Sequence, residues 1–302
     1  MSTPVAAPDL RVSLGTSLTL PTPVVAASGT FGYGDEVADL ADIALLGGLI
    51  TPTLTVLPRA GNPMPRTAET TAGLLHSLGM PNPGLSRFVS DLIPRLLALP
   101  CPVIVSIYGE TTEEWQMLAE ALDAAGVGAL EMNLSVLSLA GEAEILAGIE
   151  RAVRAVRSVT LGPVIVKLPA ANVEIGAAAR AAESAGADAI AVSQGFPGVA
   201  VRMSSRRFRL PGVAGEVSGP CIKPMALYQV WRVSQVVQCP ILASGGIMTG
   251  EDALEFLVAG ASAVAVGIAS SIHPTAIARI TAEIAEYLAT HNLASTAELT
   301  AP

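Results

Sequence analysis

Two glycine-bearing turns near the carboxyl end of the chain have the composition of a phosphate site. Gly245 and Gly246 follow one apolar segment, and Gly267 follows the next. Glycine lets backbone N–H groups approach an anion closely, and paired turns of this kind form the phosphate cup of (β/α)8 barrels. Thr249 and Asp252 have the spacing of a capping box, so a helix is expected to begin between the two turns. The pattern predicts a ligand that carries a phosphate group.

Lys167 is the side chain best suited to take a direct part in chemistry. It follows the apolar run Val164–Val166, which predicts a strand that aims the lysine into a barrel mouth. Such a lysine could form a Schiff base, as in a phosphate-sugar lyase or isomerase, hold a positive charge beside an anionic cofactor, or extend to solvent. The predicted strand ends carry no carboxylate pair, metal-ligand cluster or Ser/His/Asp set, which argues against glycosidase, metal-dependent and triad chemistry.

These residues can form one site only if the fold brings the carboxyl ends of its strands together at one edge of a sheet. Apolar runs alternate with helical patterns along the chain, which predicts an α/β fold, a (β/α)8 TIM barrel, as a single domain over residues 1–302. The predicted strands are Val24–Ala27, Gly48–Thr51, Val103–Ile107, Ala129–Met132, Val164–Leu168, Ala189–Val192, Ile241–Ala243 and Ala263–Val266. Predicted helices include Thr112–Ala125, Glu142–Ser158, Val173–Ala185 and Pro224–Val237.

An N-terminal hairpin and two long top-face insertions complete the predicted barrel. Leu10–Val12 and Leu18–Leu20 are expected to pair and plug the barrel floor. Residues 52–85 contain six prolines, and residues 195–222 contain an arginine cluster that is expected to be a solvated loop. Insertions of this length usually cover a site.

Composition limits the partners of the chain. It is 51% hydrophobic and 14% charged, which favours extensive burial and a homodimer or higher homo-oligomer. The net charge of −9 argues against nucleic-acid binding. The uncharged stretch Leu257–Ala278 is interrupted by glycines and a proline, so no membrane span is predicted. With no secretory signal visible and three widely spaced cysteines, a cytoplasmic location is expected.

Several motifs, in order along the chain, resemble class 1 dihydroorotate dehydrogenases, and most of all the class 1B catalytic subunit. The resemblance runs from about residue 9 to residue 274. The motifs are Ala27–Gly34, Arg59–Arg66, Asn82–Gly84, Asn133–Ser135, Val164–Lys167, Ser218–Pro224 and Gly245–Ile247. Together they are specific, although none of them would suffice alone.

The resemblance implies a barrel that binds FMN at its mouth and oxidises dihydroorotate to orotate in pyrimidine synthesis. It also implies an electron-transfer partner, because class 1B enzymes act with an FAD and iron–sulfur subunit. It favours a role for Lys167 beside the flavin ring over a Schiff base. The residues implied at the cofactor are Ser28, Asn133, Lys167, Gly219, Gly245, Gly246 and Gly267.

The chain departs from the family pattern at the reactive end. Val136 takes the position of the family's cysteine or serine base, which leaves Ser135 as a neighbouring hydroxyl. Pro52 replaces a lysine that contacts flavin and substrate. His76 replaces an asparagine of the substrate loop and is either an acid–base group or a packed or solvated histidine in a leucine-rich stretch. The predicted catalytic residues are therefore Lys167, Ser135 and His76, and the predicted substrate contacts are His76, Asn133, Ser193 and Gln194.

Two functions remain open from the sequence. The first is an FMN-dependent oxidoreductase of the dihydroorotate dehydrogenase type, with an altered base or a changed substrate. The second is a catalytically silent relative that holds FMN or serves as a scaffold or partner. Val136 and Pro52 argue against ordinary dihydroorotate oxidation, whereas Lys167 and Asn133 argue against complete silence.

Overall fold

The computed structural model describes residues 7–15, 17–135, 141–192 and 194–299. Its strands, in chain order, are β1 (Val12–Ser13), β2 (Thr19–Leu20), β3 (Val24–Ala26), β4 (Gly48–Ile50), β5 (Thr67–Thr70), β6 (Gly73–His76), β7 (Val103–Ile107), β8 (Leu130–Asn133), β9 (Val164–Lys167), β10 (Ala189–Val192), β11 (Phe196–Val199), β12 (Val201–Arg202), β13 (Arg207–Phe208), β14 (Ala214–Ser218), β15 (Ile241–Ser244) and β16 (Ala263–Val266).

The α-helices are α1 (Leu85–Arg87), α2 (Ile93–Leu96), α3 (Thr112–Ala124), α4 (Glu142–Arg157), α5 (Ile175–Ala185), α6 (Lys223–Ser234), α7 (Gly250–Val258), α8 (Ile268–Ile272) and α9 (Ala276–Thr290). A π-helical turn, Phe88–Leu92, joins α1 to α2. Over the described ranges, no helix is both long enough and apolar enough to cross a membrane.

Eight parallel strands close into a barrel, which confirms the predicted fold class. Around the barrel their order is β3, β4, β7, β8, β9, β10, β15 and β16, and β16 pairs again with β3. Each strand contributes small or branched apolar residues, which suit a sheet buried on both faces. Because all the strands run in the same direction, their carboxyl ends meet at one rim of the barrel.

The alternation of side chains along the strands divides the core into two parts. Inside the barrel, residues such as Val25, Ile104, Ile165 and Leu242 pack in one cluster. Their strand neighbours face outward and pack against the helices in a larger cluster. The inner cluster also includes Leu14, Leu18 and Leu20 of the β1–β2 hairpin, so the hairpin fills the barrel from its amino-terminal end.

The two long insertions meet in a four-stranded antiparallel sheet, which we call the cover sheet. Its strand order is β11, β14, β6 and β5, so it combines segments that lie far apart in the sequence. The loop that follows β6 reaches the barrel rim, because a Cβ placed on Gly29, just after β3, would lie 3.8 Å from Leu78 Cδ1 of that loop. The cover sheet therefore lies at the rim of the barrel where the strands have their carboxyl ends.

Some predicted boundaries were wrong for identifiable reasons. The arginine cluster is not a loop, because β12 and β13 pair as an exposed hairpin whose Val201 lies opposite Phe208. Helix α5 begins at Ile175 rather than Val173, because the Glu174 side chain accepts hydrogen bonds from Gly176 N and Ala177 N and so caps the helix. The helix predicted over Pro224–Val237 runs from Lys223 to Ser234.

An arginine fixes the amino-terminal end of the barrel. Arg157, at the end of α4, donates to Gly186 O at 2.6 Å and to Gly162 O at 2.8 Å, and it forms an ion pair with Asp188. Asp188 also accepts from Val164 N at 2.8 Å. Both charged side chains are mostly buried, so this contact joins α4 to the turns before β9 and β10.

We expect Arg157→Met to lower the free energy of unfolding by about 2–4 kcal/mol, because Asp188 would keep a poorly solvated charge without its partner. Denaturation in urea, followed by circular dichroism, measures this change. Arg154→Met is the matched control on the exposed face of the same helix, and it should alter stability by less than about 0.5 kcal/mol. Equal effects of the two substitutions would contradict the assignment.

Candidate active site

The Gly245–Gly246 turn can be built only from glycine. Both residues have positive φ angles, +120° for Gly245 and +75° for Gly246. A Cβ on Gly246 would lie 2.8 Å from Lys223 N and 3.0 Å from Gly219 O. The backbone after β15 is therefore held directly against the backbone that leads into α6.

The backbone around this turn offers hydrogen-bond donors to a ligand. Within the described residues, no backbone carbonyl accepts from the N–H groups of Gly245, Gly246 or Gly267. Gly267 follows the neighbouring strand β16, and the nearest atoms to a Cβ placed on it would be Thr30 Cγ2 at 3.7 Å and Ala27 Cβ at 3.8 Å. Unpaired N–H groups on adjacent strand ends form a cup suited to an anion, and we call these three residues the glycine cup.

Side chains of α6, of α7 and of the residue that caps α7 stabilise the backbone around the glycine cup. The predicted capping box at α7 is confirmed, with Thr249 and Asp252 each accepting from the backbone of the other. Asp252 also pairs with Lys223 Nζ at 2.7 Å, and Glu255 pairs with the same ammonium at 2.8 Å. Lys223 thus links α6, which precedes Gly246 in the chain, to α7, which follows it.

Lys167 lies at the carboxyl end of β9, as predicted, but it has a partner that sequence reasoning missed. Its Nζ lies 2.8 Å from Glu131 Oε1, and Glu131 is completely buried. Glu131 Oε2 has no hydrogen-bond partner among the described residues. The ammonium is therefore fixed at the rim by a buried carboxylate, rather than free to extend into solvent.

Uncharged polar side chains occupy the neighbouring strand ends. Asn133 Nδ2 donates to Thr53 Oγ1 at 3.0 Å, and Thr53 Oγ1 shares a 3.0 Å hydrogen bond with Ser106 Oγ. Ser28 Oγ donates to Thr51 O at 2.8 Å, which links the end of β3 to the end of β4. All but Ser28 are buried, and together they form a connected network that orients neutral groups at the barrel mouth.

Ser135 lies next to this network and has no hydrogen bond to a basic group among the described residues. Its hydroxyl donates to Asn133 Oδ1 in a short hydrogen bond, and its N–H donates to the same oxygen at 3.3 Å. An amide oxygen cannot take the proton that a serine base would need to lose. Val136, which takes the place of the family's base, lies outside the described residues.

His76 lies in the cover sheet opposite a second residue that sequence reasoning missed, Glu216. The two residues are directly paired across β6 and β14. Burial lowers the pKa of His76, and the charge of Glu216 opposes that shift. Gln194, two residues past β10, donates through Nε2 to Glu216 Oε1 at 2.5 Å. His76, Glu216 and Gln194 therefore form one polar cluster, while Ser193 lies outside the described residues.

The structure thus collects most of the predicted site residues at one end of the barrel. Gly219 joins Gly246 at the cup, and Ser28, Asn133 and Lys167 lie at the ends of other strands. In the described part of the chain, no group of three or more His, Cys, Asp or Glu side chains could hold a metal ion.

Of the two missed carboxylates, only Glu131 left a weak signal in the sequence. Glu131 is an acidic residue inside an apolar strand, two positions before Asn133 and on the same face. Glu216 gave no local signal, since its partners His76 and Gln194 come from other segments.

Comparison with known proteins agrees with this geometry. The family model described as "Dihydroorotate dehydrogenase" matches residues 12–288. A protein of Geobacter sulfurreducens named "Dihydroorotate dehydrogenase B (NAD(+)), catalytic subunit" is 42% identical, and the alignment covers 97% of each chain. A protein of the same name from Desulforudis audaxviator is 44% identical over 93% of this chain and 94% of its own.

Gly246→Ala tests the glycine cup. A Cβ at this position would meet the Lys223 backbone and would require a left-handed conformation, so we expect a loss of about 1–3 kcal/mol in the free energy of unfolding. We also expect loss of bound FMN, the ligand that the sequence resemblance implies. Thermal melting and the flavin absorbance of the purified protein measure the two effects.

Gly128→Ala is the matched control, because a Cβ on Gly128 would have no atom within 4 Å. This variant should retain FMN and change the stability by less than about 0.5 kcal/mol. If Gly246→Ala retained FMN as well as Gly128→Ala does, the cup would not be the anchor of the ligand.

Proposed function

Because the chain belongs to the dihydroorotate dehydrogenase family, class 1B, whose catalytic subunits are FMN-dependent oxidoreductases, we propose that it oxidises a dihydropyrimidine ring at the mouth of its barrel. The observation that carries this proposal is the position of the glycine cup and Lys167 at the same rim of the barrel. Strand β9, which ends in Lys167, is separated from the Gly245–Gly246 turn after β15 only by β10.

The residues present fit FMN. The N–H groups of Gly245, Gly246 and Gly267 would hold its phosphate, and no side chain could occupy Gly246 without displacing the Lys223 backbone. Ser28, Asn133 and Gly219 would line the cofactor, as the resemblance implies. When bound, FMN supplies the two-electron acceptor for oxidation of the ring.

Lys167 supplies a fixed positive charge in this arrangement. A preorganised cation stabilises negative charge that develops nearby, and it does so most effectively where water is excluded. Glu131 holds the ammonium in place at 2.8 Å and prevents it from turning toward solvent. The lysine therefore acts through its position and charge, and this role does not need a covalent bond to the substrate.

We assign the proton-accepting role to His76 rather than Ser135. The Ser135 hydroxyl donates to the Asn133 amide oxygen and has no hydrogen bond to a base within the described part of the chain. Burial lowers the pKa of His76, so its imidazole is neutral near pH 7 and can accept a proton. Glu216, directly across the sheet, stabilises the imidazolium that results.

The relatives are named as catalytic subunits, which supports a second proposal about assembly. We infer that electrons leave this barrel through an FAD and iron–sulfur partner subunit and reach NAD⁺, and that the barrel itself forms a homodimer or a higher homo-oligomer. The partner subunit rests on the family resemblance and on the words NAD(+) and catalytic subunit in the names of the relatives, and the homo-oligomer rests on the apolar composition of the chain.

The first test is whether the purified protein is yellow and is bleached by a dihydropyrimidine in the absence of oxygen. Lys167→Met should slow this bleaching about 10²–10³-fold, because the positive charge is lost where negative charge develops. Stopped-flow absorbance near the flavin maximum measures the rate. Lys167→Arg, which keeps the charge, should recover part of the rate, and Arg180→Met on the exposed face of α5 should leave it unchanged.

A colourless protein that cannot be reconstituted with FMN would overturn the proposed function. A yellow protein that neither dihydroorotate nor its uncharged analogue dihydrouracil can bleach would instead support the catalytically silent relative.

The role of His76 predicts a pH profile. Flavin reduction should slow as the pH falls through the lowered pKa of His76, because the protonated imidazole cannot accept a proton. His76→Gln should reduce the rate about 10²-fold near pH 7 and abolish that acidic limb. His291→Gln, on an exposed histidine after α9, should keep both the rate and the profile. An acidic limb that persisted in His76→Gln would assign the base elsewhere.

A further inference from the structure

A carboxylate without a cationic partner lies at the substrate end of the barrel. Gln194 Nε2 donates to Glu216 Oε1 at 2.5 Å, and a Cβ on Gly195 would lie 2.8 Å from Glu216 Cβ. The Glu216 side chain is thus packed against the segment that leaves β10. Glu216 is only partly exposed, so its charge is incompletely screened by water.

The pairing of the strands places this carboxylate within the mouth. On one side of β10, Ala191 pairs with Lys167 of β9. On the other side, Val192 pairs with Ala243 of β15, two residues before Gly245. Glu216 therefore lies over the strand end between the proposed flavin lysine and the proposed phosphate cup.

No cation in the described residues balances this charge. The ion pairs of the described residues do not include Glu216. Lys167, on the neighbouring strand end, is already paired with Glu131. Across the cover sheet, Glu216 faces Pro197 on β11 and His76 on β6, and Thr67 on β5 is the next residue in that row.

His76 does not compensate the negative charge of Glu216. Burial lowers the pKa of this imidazole, so it is mainly neutral near pH 7. The Gln194 amide satisfies one carboxylate oxygen without neutralising it. The cluster therefore carries about one negative charge at a place where a substrate ring must bind.

We propose that Glu216 selects a neutral ring that presents N–H donors, a cyclic amide or imide without a carboxylate. A carboxylate accepts hydrogen bonds from such a ring edge, whereas it repels the carboxylate that dihydroorotate and orotate carry. Pro52 adds to this preference, since it supplies no positive charge at the end of β4. The inference rests on the proposed function and specifies the substrate class of the same site.

Equilibrium binding tests the selection directly and does not depend on turnover. Isothermal titration calorimetry of the FMN-bound protein with uracil and with orotate compares two rings that differ in one carboxylate. We expect uracil to bind at least about tenfold more tightly than orotate. The same order is expected for bleaching of the flavin by dihydrouracil and by dihydroorotate.

Glu216→Gln removes the charge and keeps the size of the side chain. It should strengthen orotate binding at least about tenfold and weaken uracil binding several-fold, because a charged acceptor is replaced by a neutral amide. Glu69→Gln, an exposed carboxylate on β5 of the same cover sheet, should change neither affinity. The comparison of the two rings on the unmodified protein remains decisive even if Glu216→Gln does not fold.

The outcomes separate this inference from the proposed function. Flavin bleaching by dihydroorotate, with orotate bound as tightly as uracil, would overturn the inference and leave the proposed function intact. An unchanged preference in Glu216→Gln would show that Glu216 is not the determinant. If neither ring bound and neither dihydropyrimidine bleached the flavin, both proposals would fail.

Discussion

The candidate site depends on a contact between three backbone segments that leaves no room for side chains. A Cβ on Gly73 would lie 2.2 Å from Ser218 O, one on Gly219 would lie 2.8 Å from Gly73 Cα, and one on Gly246 would lie 2.8 Å from Lys223 N. Three segments that are distant in the sequence therefore meet at van der Waals distance. This contact joins the start of the cover sheet to the glycine cup, so the proposed ring-binding cluster and the proposed phosphate cup have a fixed geometry relative to each other.

Charge is distributed unevenly across this rigid frame. At the carboxyl end of β9, the buried Glu131 compensates Lys167, and the pair is costly to desolvate but positions a cation firmly. In the cover sheet, Glu216 is held by the neutral amide of Gln194. Between them, Thr53, Ser106 and Asn133 form an uncharged network. Among the described residues, Glu131 thus has a cationic partner and Glu216 does not.

The sequence predicted the parts of the site that follow from local chain geometry. The Gly245–Gly246 turn and the Thr249 cap are encoded within a few residues, and β-strand periodicity placed Lys167 at a strand end. Glu131 was missed because one acidic residue in an apolar strand does not reveal the lysine that it meets. Glu216 was missed because its partner His76 is 140 residues away and joins it only through pairing of the two insertions. The arginine cluster was predicted as a loop because an exposed hairpin of two-residue strands leaves almost no periodic signal.

The distribution of lysine has a practical consequence. The whole sequence contains only two lysines, Lys167 and Lys223, and both are held by carboxylates around the ligand end of the barrel. Amine-directed reagents therefore have just two side chains to modify, each beside a functional element. Isotope-labelled methyl groups attached to these amines would give a magnetic-resonance spectrum with side-chain signals from Lys167 and Lys223 alone, so ligand binding near either residue could be followed in a protein of this size without assigning the rest of the chain.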